Sequence, residues 1–299
     1  MAREKKGILF LGYFGFGNLG DEAVLAAELA AFSKHFPACR PVVISGNPSY
    51  TEQLHGVKAV PRMKPRLLIE QMKSAAMLIC GGGSLLQDIT SLRSVLYYLG
   101  VVRLARFFKV PVFFYGQGVG PLKRNISRYL VGKVANGVQS ITVRDERSLE
   151  LMKEIGVHRP EIQLAADPVF SLKRERDING KLFNGGPVNG KPVVGIAPRL
   201  WSGADYLQVL ARIMEGLRQK LGFHIVYLPF HKPEDEQACR IMLEAGLQGE
   251  VWEEQLSPSS TIPLLTALDL LVGVRLHALI FGCLAGVPII GISYDPKVR

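Results

Sequence analysis

An arginine and a histidine two residues apart, Arg275 and His277, lie between two apolar segments near the end of the chain. The run 268–274 predicts a buried parallel strand, and the run 276–286 predicts a helix that begins at once. Open α/β sheets bind ligands at the carboxyl ends of their strands, where the free N–H groups of a helix N-terminus favour an anion. The pair therefore indicates a site for a small phosphorylated carboxylate. The alternative is that Arg275 pairs with a local aspartate and His277 only packs.

Two more such side chains follow predicted strands in the same half of the chain. Arg199 comes after the strand 193–197, and His231 comes after the strand 224–228. Guanidinium groups bind carboxylate and phosphate through two parallel hydrogen bonds, and histidine transfers protons near neutral pH. The set indicates a dense anion whose reaction needs a proton.

The loop after the first predicted strand has the glycine spacing of dinucleotide-binding proteins, Gly15-x-Gly17-x-x-Gly20. A dinucleotide site also needs an acid after the second strand to hold a ribose, and the predicted strand 41–45 is followed by none. In addition, Asp21 and Glu22 follow the last glycine directly and would repel a pyrophosphate. The pattern therefore argues against a nicotinamide cofactor.

The same loop still contains candidate binding residues. Gly17 and Asn18 are expected to approach a ligand or the other domain closely, since glycine lets the backbone turn sharply. Asp21 precedes a helix predicted over 23–36. Two interpretations of Asp21 stay open: an acid that favours the helix dipole, or a carboxylate that serves as acid or base.

Two further glycine-rich loops are predicted to end strands 76–80 and 110–115. In the first, Gly82 and Gly83 can present bare N–H groups as an anion nest, although close packing explains them nearly as well. In the second, Gly118 repeats the pattern and Gln117 adds an amide that can orient hydroxyl groups.

Arg144 again follows a predicted strand, 140–143, and stands beside Asp145. It forms either a structural ion pair or an anion clamp, and the clamp is the preferred interpretation.

Composition narrows the class of protein. The chain has 299 residues, 48% of them hydrophobic and 21% charged, and a net charge of +10. No nucleic-acid module, secretory signal or membrane-length apolar run is present, and the four cysteines are far apart in sequence. We expect a cytoplasmic protein with phosphate-bearing substrates, and no nucleic-acid partner. The basic groups at 62–66 and 103–109 are either solvated or contact the inner membrane face.

Strand–loop–helix units repeat along the whole chain, which predicts an α/β fold with two doubly wound, Rossmann-like domains. We place the N-terminal domain at 1–172, a linker rich in charge, Gly, Asn and Pro at 173–192, and the C-terminal domain at 193–299. Two such domains facing each other across a cleft form the glycosyltransferase-B-like architecture. The last strand, 287–293, has no helix after it, so the natural protein is expected to continue further.

The motifs taken together resemble those of the polysaccharide pyruvyl transferase family, and most closely its CsaB-type members, over nearly the whole chain. The stretches that carry the resemblance are 12–22, 81–88, 117–121, 143–146, 166–168, 228–231, Arg275-Leu276-His277 and Tyr294-Asp295-Pro296. The departure is at the C-terminus, where such enzymes extend further.

The resemblance implies a glycosyltransferase-B-like fold and phosphoenolpyruvate as co-substrate. The implied product is a 4,6-ketal on N-acetylmannosamine, and the implied acceptor is a disaccharide carried on undecaprenyl diphosphate. The family's Arg-x-His element, which is tied to donor use, corresponds to Arg275 and His277. We therefore expect the donor on the C-terminal domain and the acceptor on the N-terminal domain.

The residues suit this chemistry, since arginines can hold the donor while a histidine protonates its methylene carbon and Asp21 accepts a hydroxyl proton. His277 is the first candidate for the acid and His231 the second. We expect no metal and no bound cofactor, since metal-ligand spacing is absent. Two alternatives remain: a nucleotide-sugar glycosyltransferase, and a catalytically silent module that binds anionic glycolipids.

Overall fold

The computed structural model describes residues 7–89, 91–173, 190–201 and 205–293. The chain divides into two units: residues 7–16 and 21–172 form the first, and residues 17–20 and those from 173 onward form the second. The first domain proposed from the sequence, 1–172, contains the segment 17–20 that the structure groups with the second unit. Most of the proposed linker (174–189) and the motif Tyr294-Asp295-Pro296 lie outside the described residues.

Apolar runs form the strands of the first unit. These strands are β1 (Gly7–Leu11), β2 (Arg40–Ser45), β3 (Lys58–Pro61), β4 (Ala75–Cys80), β5 (Gly83–Leu86), β6 (Val112–Val119), β7 (Ser140–Val143) and β8 (Ile162–Leu164). They pair in parallel in the order β3-β2-β1-β4-β6-β7-β8, and β5 pairs with β6. Ile8 and Phe10 of β1 pack in one apolar cluster and Leu9 and Leu11 in another, so both faces of the sheet are covered.

Helices connect these strands. They are α1 (Leu19–His35), α2 (Pro48–His55), α3 (Pro65–Ser74), α4 (Leu92–Phe107), α5 (Asn125–Ala135) and α6 (Glu146–Glu154). Asn47 caps α2 by accepting a hydrogen bond from the Tyr50 N–H, a polar turn signal that the hydrophobic pattern does not reveal. No helix among the described residues is long and apolar enough to cross a membrane.

The second unit contains a five-stranded parallel sheet. Its strands are β9 (Val193–Ala197), β10 (His224–Tyr227), β11 (Glu250–Val251), β12 (Leu270–Gly273) and β13 (Ile289–Gly291), in the order β11-β10-β9-β12-β13. Its helices are α7 (Asp205–Leu221), α8 (Glu234–Glu244), α9 (Pro258–Leu265) and α10 (Leu276–Ala285). Because β9 lies between β10 and β12, the segments after these three strands leave the sheet at one edge, as the sequence predicts.

One strand prediction in the first unit is wrong, because β6 does not end at Tyr115 but continues to Val119. The predicted end of the strand 76–80 at the glycine triplet is confirmed, since β4 ends at Cys80, but sequence reasoning missed β5, which begins at Gly83. Gly116 has a φ of +59°, and the pairing of β6 with β7 shifts register between Phe114 and Gln117. A glycine in this conformation is an irregularity within the strand, which sequence reasoning took for the end of it.

Candidate active site

Arg275 binds an aspartate at the sheet edge of the second unit. It caps α10 with extended backbone, and its Nε donates to Asp235 Oδ2 at 2.6 Å while Nη2 donates to Oδ1. The Asp235 side chain is fully buried and Arg275 is 11% exposed. The alternative in which Arg275 pairs with an aspartate therefore describes the observed contact, and the partner lies 40 residues away in the first turn of α8.

The same aspartate holds the loop that carries His231. Asp235 Oδ2 accepts hydrogen bonds from the N–H groups of Phe230 at 3.1 Å and His231 at 2.9 Å. One buried carboxylate thus fixes the guanidinium of Arg275 and the backbone of His231 together. Sequence reasoning missed Asp235, although an acid four residues after His231 at the same strand end is a signal that could have been used.

Residues 17–20 join this arrangement within the second unit. Asn18 pairs with His231 as an isolated antiparallel bridge, and the Leu19 N–H donates to the Phe230 carbonyl at 2.9 Å. A Cβ on Gly20 would lie 2.8 Å from the His277 Cβ and closer still to its ring. Gly20 is therefore required by the close approach of His277, and the segment brings both candidate histidines to one place.

Arg199 lies at the same edge, after β9. Its guanidinium lies 4.9 Å from the centre of the Trp201 ring, and its carbonyl accepts a hydrogen bond from the Tyr206 hydroxyl. A small pocket also opens beside the His231 loop. It is lined by Gly17, Leu19, Pro229, Phe230, Lys232, Gln255 and Leu256.

In the first unit, the glycine-rich loops contact carboxylate side chains of the protein itself. The N–H of Gly15, which has a φ of +80°, donates to Glu22 Oε1 at 2.8 Å. The other carboxylate oxygen of Glu22 lies 2.9 Å from His55 Nε2, and both side chains are buried. A carboxylate of the chain itself thus accepts a hydrogen bond from the N–H of this loop glycine, and the absence of a dinucleotide stays a prediction.

Glu28 fills the second glycine-rich loop. The Gly82 N–H donates to Glu28 Oε1 at 2.8 Å, and a Cβ on Gly81 would lie 2.5 Å from Oε2. Gly83 similarly makes room for Asp21, whose Oδ1 would be 2.7 Å from a Cβ there. Close packing therefore describes what the structure shows at these glycines, and binding of substrate by Gly82 and Gly83 stays a prediction.

Gln117 lies within this packed region and is 1% exposed. Its Nε2 donates to the carbonyls of Cys80, at 2.9 Å, and of Gly81. Its amide therefore ties β6 to the end of β4. The predicted contact of Gln117 with substrate hydroxyls remains untested.

Arg144 is likewise engaged by the protein. Its Nη1 donates to Asp167 Oδ2 at 2.6 Å and its Nη2 to Ser84 Oγ at 3.3 Å, and both charged side chains are 5% exposed. A Cβ on Gly118 would lie 2.9 Å from Arg144 Nε, so Gly118 makes room for this group. The ion-pair alternative describes these contacts, while the anion clamp stays a prediction.

Burial raises the pKa of Glu28 from 4.5 to about 8, against the effect of the Gly82 N–H and with a further contribution from Asp167. Between pH 4.5 and about pH 8, the Glu28 carboxyl has lost its proton in the unfolded chain but keeps it in the folded chain. The free energy of unfolding should therefore fall as the pH rises through this window, by up to about 1.4 kcal/mol per pH unit, and this contribution should level off above the folded pKa.

Glu28→Gln should remove this slope. Urea denaturation at several pH values from 5 to 9 would give the free energy of unfolding of wild type and variant. The difference between the two curves measures the contribution of Glu28. Glu150→Gln is the control, because Glu150 is exposed. Parallel stability curves for wild type and Glu28→Gln would contradict the assignment.

Comparison with known proteins identifies a family that this chain matches. A family model described as polysaccharide pyruvyl transferase matches residues 18–296. The amylovoran biosynthesis protein AmsJ of Erwinia amylovora is 23% identical over 213 residues, which are 63% of this chain and 50% of that protein. The chain thus spans about half the length of this curated relative.

Solved structures show the same fold. The UDP-GlcNAc 2-epimerase of Neisseria meningitidis bound to UDP-GlcNAc matches 97% of this chain and 84% of its own, at 13% identity and a TM-score of 0.69. S. aureus MnaA with UDP matches 98% and 80%, at 11% identity and 0.68. Anabaena Alr3699/HepE with UDP and glucose matches 95% and 80%, at 13% identity and 0.59. These likenesses confirm two Rossmann-like units of the glycosyltransferase-B-like type.

Proposed function

The chain belongs to the polysaccharide pyruvyl transferase family, and from this premise we propose that it transfers pyruvyl from phosphoenolpyruvate to N-acetylmannosamine of a cell-wall glycan precursor, as CsaB-type enzymes do. The observation that carries the proposal is the Arg275–Asp235 pair at the sheet edge, held next to the His231 loop. An arginine fixed in this way is a preorganised receptor for an anionic donor.

The contacts of Arg275 with the described residues leave part of its guanidinium for a ligand. Asp235 accepts from Nε and Nη2, and a guanidinium has five N–H groups in all. We assign the donor's carboxylate or phosphate to the Nη1 side of Arg275 and to the N-terminus of α10, where backbone N–H groups favour an anion. Arg199 adds positive charge at the same edge.

In the proposed reaction His277, half-buried against Gly20, protonates the methylene carbon of phosphoenolpyruvate. The neighbouring carbon gains oxocarbenium character, and one sugar hydroxyl adds there while Asp21 accepts its proton. The bond to the phosphate oxygen then breaks and phosphate leaves. The second hydroxyl closes the 4,6-ketal, and its proton goes to the leaving phosphate. One proton has entered the new methyl group and two have left the hydroxyls, one to Asp21 and one to phosphate. Exchange with solvent then restores the protonated histidine and the Asp21 carboxylate, so the protons balance.

The proposed acceptor is a disaccharide on undecaprenyl diphosphate, encountered at the inner face of the membrane in the cytoplasm. Support comes from the family and from the biosynthetic role in the name of the Erwinia relative. A surface suited to such a membrane lies at the end of α4, where Phe107 is 79% exposed beside Arg103, Arg106 and Lys109.

Transfer of a sugar from a nucleotide is the alternative, because the three solved structures described above, which share the fold, hold UDP or a UDP-sugar. Incubating the protein with a mannosaminyl-glucosaminyl lipid analogue and either phosphoenolpyruvate or a UDP-sugar separates the two. Pyruvylation predicts a mass gain of one pyruvyl group together with phosphate release. A mass gain of one sugar would overturn the proposal, and binding without any turnover would favour a glycolipid-binding module.

Asp21→Asn should lower turnover by about 10²- to 10⁴-fold with little effect on stability, since an amide cannot accept the hydroxyl proton. The neighbouring Glu22→Gln is the matched comparison. Glu22 is buried and bonded to Gly15 and His55, so its loss should cost about 1–3 kcal/mol of stability and leave the rate per folded molecule nearly unchanged. If Asp21→Asn lowers thermal stability and spares the rate, Asp21 is a structural helix acid.

A further inference from the structure

A cluster of aromatic rings surrounds one arginine at the carboxyl edge of the first unit's sheet. The Arg62 guanidinium carbon lies 4.1 Å from the centre of the Tyr97 ring, 5.3 Å from Phe16 and 5.7 Å from Tyr98. Arg62 follows β3, and its N–H donates to the Ser45 carbonyl at the end of β2 at 2.9 Å. The Tyr97 hydroxyl donates to the Arg62 carbonyl at 3.1 Å, so both the backbone and the side chain of Arg62 are held in place.

In the part of the chain that the structure describes, the charge of this arginine is not balanced by an ion pair. Among the described residues, Arg62 forms no salt bridge with a carboxylate, whereas Arg144 and Arg275 in similar strand-end positions each bind an aspartate. Cation–π contacts stabilise a guanidinium without using its N–H groups. The side chain of Arg62 also bonds the hydroxyl groups of Tyr97 and Tyr98, and a guanidinium has five N–H groups, so donors remain for an anion. A half-buried, rigidly held cation of this kind is suited to a phosphate.

A flat apolar surface adjoins the cation. The rings of Tyr13 and Phe16 are stacked, with centres 4.2 Å apart and planes at 13°, and Tyr13 is 36% exposed. Gly46 lies directly beneath the Phe16 ring, where a Cβ would meet ring atoms at 2.5–2.8 Å. A stacked and supported aromatic pair offers a rigid face against which the C–H face of a pyranose can pack at little entropic cost.

Asp21 belongs to the same neighbourhood. Burial raises the pKa of the Tyr98 hydroxyl, Arg62 acts to lower it, and the Asp21 carboxylate acts to raise it. Asp21 therefore lies within electrostatic reach of the Tyr98 hydroxyl, whose ring packs on Arg62.

We propose that the Tyr13–Phe16 stack and the Arg62 guanidinium form a subsite for the glycosyl diphosphate part of the acceptor, with a sugar ring on Tyr13 and the diphosphate on Arg62. The inference rests on the proposed function for the identity of that acceptor. It assigns to the acceptor a site that is built entirely from the first unit.

Binding measurements by calorimetry test the subsite without requiring turnover. The probes are a mannosaminyl-glucosaminyl diphosphate ester of a short alkyl chain, the same disaccharide as an alkyl glycoside, inorganic pyrophosphate, UDP and phosphoenolpyruvate. Arg62→Gln should weaken binding of the diphosphate ester about 10- to 100-fold and leave the alkyl glycoside and phosphoenolpyruvate unchanged. Tyr13→Leu should weaken both disaccharide probes about 3- to 10-fold and leave pyrophosphate unchanged.

Two matched controls come from the same unit. Arg66→Gln removes an exposed arginine that pairs with Glu70, and Tyr129→Leu removes an exposed tyrosine; neither should change any affinity. Arg62→Lys keeps the charge and should fall between wild type and Arg62→Gln. Thermal melting of each variant checks that it is folded, and Tyr13→Leu, at an exposed position, keeps the test informative if Arg62→Gln fails to fold.

The outcomes separate this inference from the proposed function. Wild-type pyruvylation together with an unchanged affinity of folded Arg62→Gln for the diphosphate ester overturns the subsite alone. Tight wild-type binding that depends on Arg62, without any pyruvylation, supports the subsite and overturns the function. Loss of phosphoenolpyruvate affinity in Arg62→Gln would make Arg62 a donor residue, and preferential loss of UDP affinity in both variants would make the cluster a nucleotide site; either result overturns the proposal.

Discussion

His277→Ala should lower turnover by about 10²- to 10⁴-fold while phosphoenolpyruvate affinity stays close to that of wild type. This range is typical for removal of a general acid. The expectation follows from the position of His277 in the first turn of α10, where its ring is pressed against Gly20 and is held near a donor bound at Arg275. Steady-state kinetics and calorimetry with phosphoenolpyruvate would measure the two quantities.

Wild-type turnover in heavy water should place deuterium in the methyl group of the ketal, because the acid delivers a solvent-derived proton to the methylene carbon.

His224→Ala is the matched control for His277→Ala, since His224 begins β10 at the opposite end of the strand from His231. Gly20→Ala should also reduce turnover, because its Cβ would displace the His277 ring. If His277→Ala leaves turnover intact, the acid lies elsewhere and His231 is the next candidate.

Arg275→Lys should weaken phosphoenolpyruvate binding by about 10- to 150-fold, the loss expected for about 1.5–3 kcal/mol of charged hydrogen bonding. Lysine keeps the positive charge, but it lacks the planar guanidinium that donates two hydrogen bonds to Asp235 and keeps further N–H groups for the donor. Asp235→Asn should instead act mainly on stability, by about 3 kcal/mol, because it leaves the guanidinium without its buried carboxylate. Calorimetry and urea denaturation would measure these two effects separately.

Arg218→Lys is the matched control for this pair. Arg218 also binds an acid, Glu215, through Nε and Nη2, but it does so on the more exposed surface of α7. Its replacement should cost at most about 1 kcal/mol and leave donor affinity unchanged. Unchanged phosphoenolpyruvate binding in a folded Arg275→Lys variant would refute the central assignment of the donor site.

Local patterns in the sequence were enough to predict the two parallel sheets and the position of the candidate donor residues. Consecutive apolar runs such as Ile8 to Leu11 indicate strands covered on both faces, and the burial of β1 confirms this. Because parallel neighbouring strands end at the same edge, Arg199, His231 and Arg275 could be assigned to one edge before any coordinates were known. Local backbone preference and the alternation of strands with helices determine these features.

Only the tertiary structure decided which charges meet. Arg275 pairs with Asp235 across 40 residues, Arg144 pairs with Asp167 across 23, and Glu28 reaches Gly82 across 54. The sequence shows that an arginine or a glycine follows a strand, but a buried charge can be stabilised equally well by a ligand or by a distant carboxylate. Whether the partner is a ligand or a carboxylate depends on packing between elements far apart in the chain. A buried charge without a partner is costly, so a carboxylate that packing brings within reach will pair with it. For the same reason, only the fold shows that Arg62 is held by aromatic rings instead of a carboxylate.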